Sequence, residues 1–80
     1  MNAKEILNKI KWDSSEEPEK CFVFYLDRIS GGLKKVEFRK IKNIEGNFFE
    51  IEENGKITEI PIHRIREVRR ENKLVWRRGL

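Results

Sequence analysis

The chain has 80 residues, of which 38% are hydrophobic and 40% charged, and its formal net charge is +4. That length predicts a single domain over residues 1–80, and the lack of a signal-peptide core or of any apolar run near the roughly 18 residues of a membrane span predicts a soluble, cytoplasmic protein with no membrane association. The lone Cys21 excludes an internal disulfide and a cysteine-built zinc site, and the lone His63 excludes two-histidine acid–base chemistry within the chain.

Residues 3–11 predict a helix. Asn2 is placed to cap its first turn, with Glu5 three residues on as the partner of a capping box. Ala3, Ile6, Leu7 and Ile10 recur at i, i+3, i+4 and i+7, an apolar stripe that must lie on a core. Trp12 is expected to tuck into that core. Residues 13–20 form an acidic polar loop, in which Pro18 and the two serines disfavour regular structure. Residues 21–26 are dense in strand formers and predict a central strand, with Cys21 as a small buried apolar residue. Ser30, Gly31 and Gly32 signal a turn, and residues 33–41 read as the returning strand. Residues 42–46 read as irregular, with a turn at Gly46 and Asn47. Residues 47–53 predict another strand. Asn54 and Gly55 carry the strongest hairpin signal in the chain, and residues 56–62 return. Residues 64–70 alternate basic and apolar side chains, with Ile65 and Val68 facing inward. A turn at Glu71 and Asn72 leads to a last strand over residues 73–78, around Val75 and Trp76. The order predicts an α+β fold: an N-terminal helix packed on a curled five- to six-stranded antiparallel sheet or small barrel, with a β meander over residues 21–78. No internal repeat or low-complexity tract is visible.

The charge is uneven. Residues 1–62 hold 11 Lys/Arg against 12 Asp/Glu, whereas residues 63–80 hold 7 against 2, so the balances are −1 and +5. Six of the eight arginines lie in that last stretch: Arg64, Arg66, Arg69, Arg70, Arg77 and Arg78. Arginine makes bidentate phosphate contacts and stacks on bases, so an Arg-rich stretch points first to nucleic acid. The plain alternative is a solvated surface that keeps the protein in solution.

Three clusters set charged residues beside strand formers: Tyr25-Leu26-Asp27-Arg28, Ile60-Pro61-Ile62-His63-Arg64-Ile65, and Val75-Trp76-Arg77-Arg78. Together they resemble a family of small archaeal proteins known as the RNA cyclic group end recognition domain. Relatives of that family also occur as modules in larger eukaryotic proteins, some beside RNA phosphoesterase domains. The resemblance runs from the helix and Trp12-Asp13 to Trp76 and Arg78. The sequence departs from the pattern at Phe24, where the family has glycine, and at Ile62, where an aromatic residue or leucine is common. The resemblance implies a module that recognises RNA ends, among them 2′,3′-cyclic phosphate termini. It implies the RNA 3′ end as partner, an RNA-processing enzyme as a further one, and no cofactor or metal.

The residue chemistry fits that implication. A cyclic phosphate is a monoanion on a ribose without a free 3′-hydroxyl. Arg64 or Arg28 supplies a guanidinium fork, His63 a hydrogen bond that strengthens on protonation, and Tyr25 or Trp76 a stacking surface. Arg77, Arg78, Arg66 and Lys73 are placed to follow the upstream backbone. Asp27 completes the first cluster, either as an ion-pair partner of Arg28 or beside His63 as a general-base pair. The latter keeps open an alternative, an RNA-end-processing phosphodiesterase. A third reading is a protein-interaction barrel that docks an acidic partner.

Overall fold

The computed structural model describes residues 1–79. Helix α1 spans Ala3–Trp12, and seven strands follow: β1 (Cys21–Leu26), β2 (Leu33–Glu37), β3 (Ile41–Glu45), β4 (Phe48–Glu53), β5 (Lys56–Pro61), β6 (Ile65–Arg70) and β7 (Lys73–Arg77). The expected α+β architecture is present, a helix on curled antiparallel sheets. Instead of one sheet of five or six strands there are two, in the orders β2-β1-β6-β7 and β3-β4-β5. β1 is central, as its composition predicts.

The capping box forms. The Asn2 side chain accepts from the Glu5 N–H and the Glu5 carboxylate accepts from the Asn2 N–H, both at 2.8 Å. Ala3, Ile6, Leu7 and Ile10 are buried. Trp12 is not: it is 78% exposed, with the Lys11 ammonium 5.2 Å from its ring. At about 100° per residue it stands about 200° around the helix from Ile10, on the opposite face. Residues 13–20 are also more regular than expected. They make two 3₁₀ turns, Ser14–Glu16 and Pro18–Lys20, joined by Glu17 at φ +54°. Asp13 caps the first, and Pro18 opens the second, where its missing N–H has no partner to lose.

Residues 33–46 depart most from the expectation. A 3₁₀ turn at Phe38–Lys40 ends β2 and carries the chain into the other sheet as β3. The turn at Ile62–Arg64 carries β5 back to β6 in the same way. Both crossings share one apolar spacing: Val36, Phe38, Ile41 and Ile44 in the first, Ile60, Ile62, Ile65 and Val68 in the second. Steps of two belong to strand, and the steps of three are the tight turn and the bulge after it.

The pairing repeats as well. Tyr25 lies opposite Ile65 and Phe24 opposite Glu67, so Arg66 is a bulged residue of β6. Ile51 lies opposite Ile41 and Glu50 opposite Asn43, so Lys42 is its counterpart in β3. The chain is therefore an internal structural repeat of a strand–strand–turn–strand unit, β1-β2-β3 and β4-β5-β6. Each hairpin pairs with the third strand of the other unit, as the two subunits of a two-fold dimer would. The repeat escapes the eye in the sequence because burial pattern, not residue identity, is what recurs. Over nine aligned crossing positions only Ile41 and Ile65 are the same residue.

The inner faces of both sheets and the apolar stripe of α1 share one core. Phe49, Leu7, Ile10, Ile65, Val23, Val68 and Cys21 are its fully buried members. Tyr25 and Phe49 meet edge to face across it at 6.3 Å. None of the described helices is long and apolar enough to cross a membrane.

Candidate functional site

The Ile62–Arg64 turn is held from several sides. Pro61 enters it at φ −62°, and the Ile62 N–H donates to Asn47 O at 2.8 Å. The Arg66 guanidinium donates to His63 O at 2.7 Å, and that of Arg78 to Ile65 O at 2.8 Å and Ile62 O at 3.2 Å. A 3₁₀ turn has three residues per revolution, so successive side chains leave it about 120° apart. Ile62 points into the core, and His63 and Arg64 enter different grooves.

The first groove, of about 350 Å³, lies between the end of β1 and the β4–β5 hairpin. Tyr25, Asp27, Arg28, Phe48, Ile60 and Arg64 line it, with Glu59 also on its wall. The loop after β1 is rigidly hydrogen-bonded. The Asp27 N–H donates to Gly32 O at 2.8 Å, and the Asp27 carboxylate accepts from the Ser30 N–H at 2.9 Å. Gly31 sits at φ +75°, where a side chain is disfavoured. The Ser30 backbone N–H and hydroxyl hold the Asp27 carboxyl below its ordinary range, and Lys34, 3.9 Å away, adds to this. Asp27 therefore orders the loop that presents Arg28, and is not an ion-pair partner of Arg28. Tyr25 is 8% exposed and edge-on to Phe49, so it is a wall of the groove and not an open stacking face. Burial pushes its phenol up, so the hydroxyl stays a donor at neutral pH. Phe48 is the open aromatic here, 42% exposed. It is a residue the sequence reading passed over. Its signal was the Phe48-Phe49 pair, whose alternation in a strand sends one ring in and one out.

The second groove, of about 360 Å³, lies on the other side of the turn, against the start of α1. His63 and Arg78 line it with Asn2, Lys4 and Asn47. Asp27 and His63 thus belong to different grooves, and the general-base pair of the hydrolytic alternative is not assembled. Among the described residues no three His, Cys, Asp or Glu side chains converge as metal ligands would.

The third cluster is largely built into the fold. Trp76 packs against the core, its Nε1–H donates to Met1 O at 2.6 Å, and the Arg78 guanidinium lies 5.2 Å from its ring. Arg77 stands exposed on β7 and lines neither groove. Of the six arginines in the basic stretch, four have internal partners. Arg66 and Arg78 hold backbone carbonyls, Arg69 pairs with Glu67 at 2.8 Å, and Arg70 reaches Glu16 at 3.5 Å. Arg64, Arg77 and, in the first groove, Arg28 have no ion pair or side-chain hydrogen bond among the described residues.

The repeat makes this contrast sharper. His63, Arg64 and Arg66 correspond to Arg39, Lys40 and Lys42 in the other unit. There Arg39 pairs with Glu37, Lys40 with Glu53 at 3.6 Å and Lys42 with Glu52 at 3.5 Å. One crossing turn is electrically answered by its own fold and the other is not.

The model of the MJ1316 RNA cyclic group end recognition domain matches residues 1–78. The chain belongs to this family. Its relatives in the MJ1316 family include a UPF0248 protein of Saccharolobus islandicus strain M.14.25, 34% identical over 98% of this chain and 100% of the relative. A UPF0248 protein of Saccharolobus solfataricus is 29% identical over 99% of both chains, and one of Metallosphaera sedula is 31% identical over 98% of this chain and 94% of the relative. No solved structure gives a significant match. Two of the three clusters that carry the resemblance, at residues 25–28 and 60–65, meet in the first groove of this MJ1316-family chain. The third abuts the second groove through Arg78.

Proposed function

We propose that this MJ1316-family chain is a non-catalytic RNA-binding module that takes an RNA 3′ end, in the form of a 2′,3′-cyclic phosphate, into the groove of Arg28 and Arg64. The observation that carries this reading is a pair of guanidinium groups with no ion pair or side-chain hydrogen bond among the described residues, in a groove that also offers an exposed aromatic ring. Two forks suit a compact monoanion, and charge-assisted hydrogen bonds of this kind contribute roughly 1.5–3 kcal/mol each. The Tyr25 hydroxyl adds a neutral donor. Phe48 offers the terminal base a face on which stacking contributes roughly 1–3 kcal/mol. Arg78 holds the turn through the Ile62 and Ile65 carbonyls, and both it and His63 line the other groove, so neither is placed to touch the same phosphate. An RNA-processing enzyme that supplies or consumes such ends is the corresponding partner.

The test is a titration of one short RNA carrying three different 3′ ends: cyclic phosphate, linear phosphate and hydroxyl. Fluorescence anisotropy gives affinity, and the recovered RNA is checked for conversion. The expected result is a preference for the cyclic end with the RNA intact. Arg28→Ala and Arg64→Ala should each lower that affinity about tenfold or more with melting unchanged, and His63→Ala should do so weakly. Equal binding of all three ends would sink the reading, and conversion of the cyclic end would replace it with an enzyme.

A further inference from the structure

The outward face of the four-stranded sheet carries two aromatic rings where a solvated sheet face would carry polar ones. Along β1 the burial alternates, with Cys21, Val23 and Tyr25 inward and Phe22, Phe24 and Leu26 outward. Phe22 and Phe24 are half-buried, and neither belongs to the core or packs against it. They stand two residues apart on a central strand, about 6.7 Å along its length. Their neighbours across the pairing are charged. Phe22 lies between Glu37 and Arg69, and Phe24 between Lys35 and Glu67, with Arg77 beyond Glu67. The Lys35 ammonium is 4.3 Å from the Phe22 ring.

We propose that this face is a stacking platform for single-stranded RNA, which receives the nucleotides upstream of the 3′ end. This rests in part on the reading of the Arg28–Arg64 groove, because β1 runs from Phe22 and Phe24 directly into Arg28. Two rings in the middle of an antiparallel sheet are how RNA-binding sheets hold unstacked bases, and cations beside them meet the phosphates. The charge count selects the occupant. Lys35, Arg39, Arg69 and Arg77 on or beside the face outnumber Glu37 and Glu67, and these two carboxylates are already engaged by Arg39 and Arg69. A second copy of the chain would set like charge against like, which disfavours self-association through this face. A polyanion with exposed π-faces satisfies both the rings and the cations.

The experiment uses two RNAs, a dinucleotide and an octanucleotide, each with a cyclic and a hydroxyl end. The wild type is expected to bind the octanucleotide at least about 25-fold more tightly than the dinucleotide. Phe22→Leu combined with Phe24→Leu keeps apolar bulk and removes both rings. The double variant should melt as the wild type does and lose that length gain, at least about fivefold for each ring. On the dinucleotide it should still prefer the cyclic end. A length gain that survives in the double variant, or no length gain in the wild type, overturns the platform. Indifference to the end in the wild type, with a length gain that the double variant loses, overturns the groove and leaves the platform standing.

Discussion

Arg78 and Arg64 look interchangeable in the sequence, and the structure gives them different surroundings. The Arg78 guanidinium donates to the carbonyls of Ile65 and Ile62 at 2.8 and 3.2 Å, and lies 5.2 Å from the Trp76 ring. Arg78→Met keeps the stem and removes the fork. Each carbonyl bond, discounted for partial exposure, contributes about 1 kcal/mol, and the cation–π contact about 0.5 kcal/mol. The expected loss is therefore about 2.5 kcal/mol, which in a domain of this size lowers the melting temperature by about 10–20 °C. Arg64→Ala touches no internal partner, so its stability change should stay within about 0.5 kcal/mol. Thermal unfolding followed by circular dichroism, run beside the anisotropy titration, separates the two. Arg78→Met should melt early and, below its transition, bind the cyclic end within a few-fold of wild type. Arg64→Ala should melt normally and bind poorly. If Arg78→Met melts like the wild type yet binds as poorly as Arg64→Ala, Arg78 contacts the ligand and the clamp is wrong.

Cys21 is 1% exposed, and burial pushes its thiol up, so in the native protein it should resist iodoacetamide at pH 8 and react fully in denaturant. Rapid native labelling would show that the β1 end opens readily. Because the Asp27 carboxyl is held below its ordinary range when folded, the stability it adds is complete above about pH 4 and is lost as the pH falls through the lower folded value. Asp27→Asn should therefore flatten the acid limb of the melting temperature between about pH 5 and pH 2, and parallel profiles for the two proteins would refute this.

Most of the architecture was legible because local signals agreed with the global fold. The capping box, the helix stripe, the Asn54-Gly55 hairpin and the alternation of residues 21–26 each depend on neighbours in sequence. What escaped depends on switches of period. Residues 33–41 contain enough strand formers for one strand, residues 42–46 look irregular, and only the three-residue step from Phe38 to Ile41 marks the crossing into β3. Trp12 lies outside the core for a related reason: its size suggests burial, but the helical phase set by Ile6 and Ile10 decides. Of the arginines in the three clusters, Arg28 and Arg64 line one groove. Which arginines have internal partners is fixed by contacts between distant segments, such as Arg70 with Glu16, 54 residues away in sequence. Composition does not encode such contacts.

The repeated unit also explains why one crossing turn is left with unanswered charge. Leu26 pairs with Leu33 around six intervening residues, whereas its counterpart Glu52 pairs with Ile57 around four. The first hairpin loop is thus two residues longer. By this register Asp27 corresponds to Glu53, and Arg64 to Lys40. In the tight hairpin Glu53 reaches across to Lys40 at 3.6 Å. In the longer one the extra residues fold back, and the Asp27 carboxylate is taken by the Ser30 N–H at 2.9 Å and by Lys34. The carboxylate that would neutralise Arg64 is spent on its own loop, and the same loop presents Arg28 beside it. A two-residue insertion therefore removes one negative partner from the turn and adds one positive neighbour. From two copies of a single backbone unit, that difference makes one turn a structural joint and leaves the other beside a groove whose two guanidinium groups have no ion pair among the described residues.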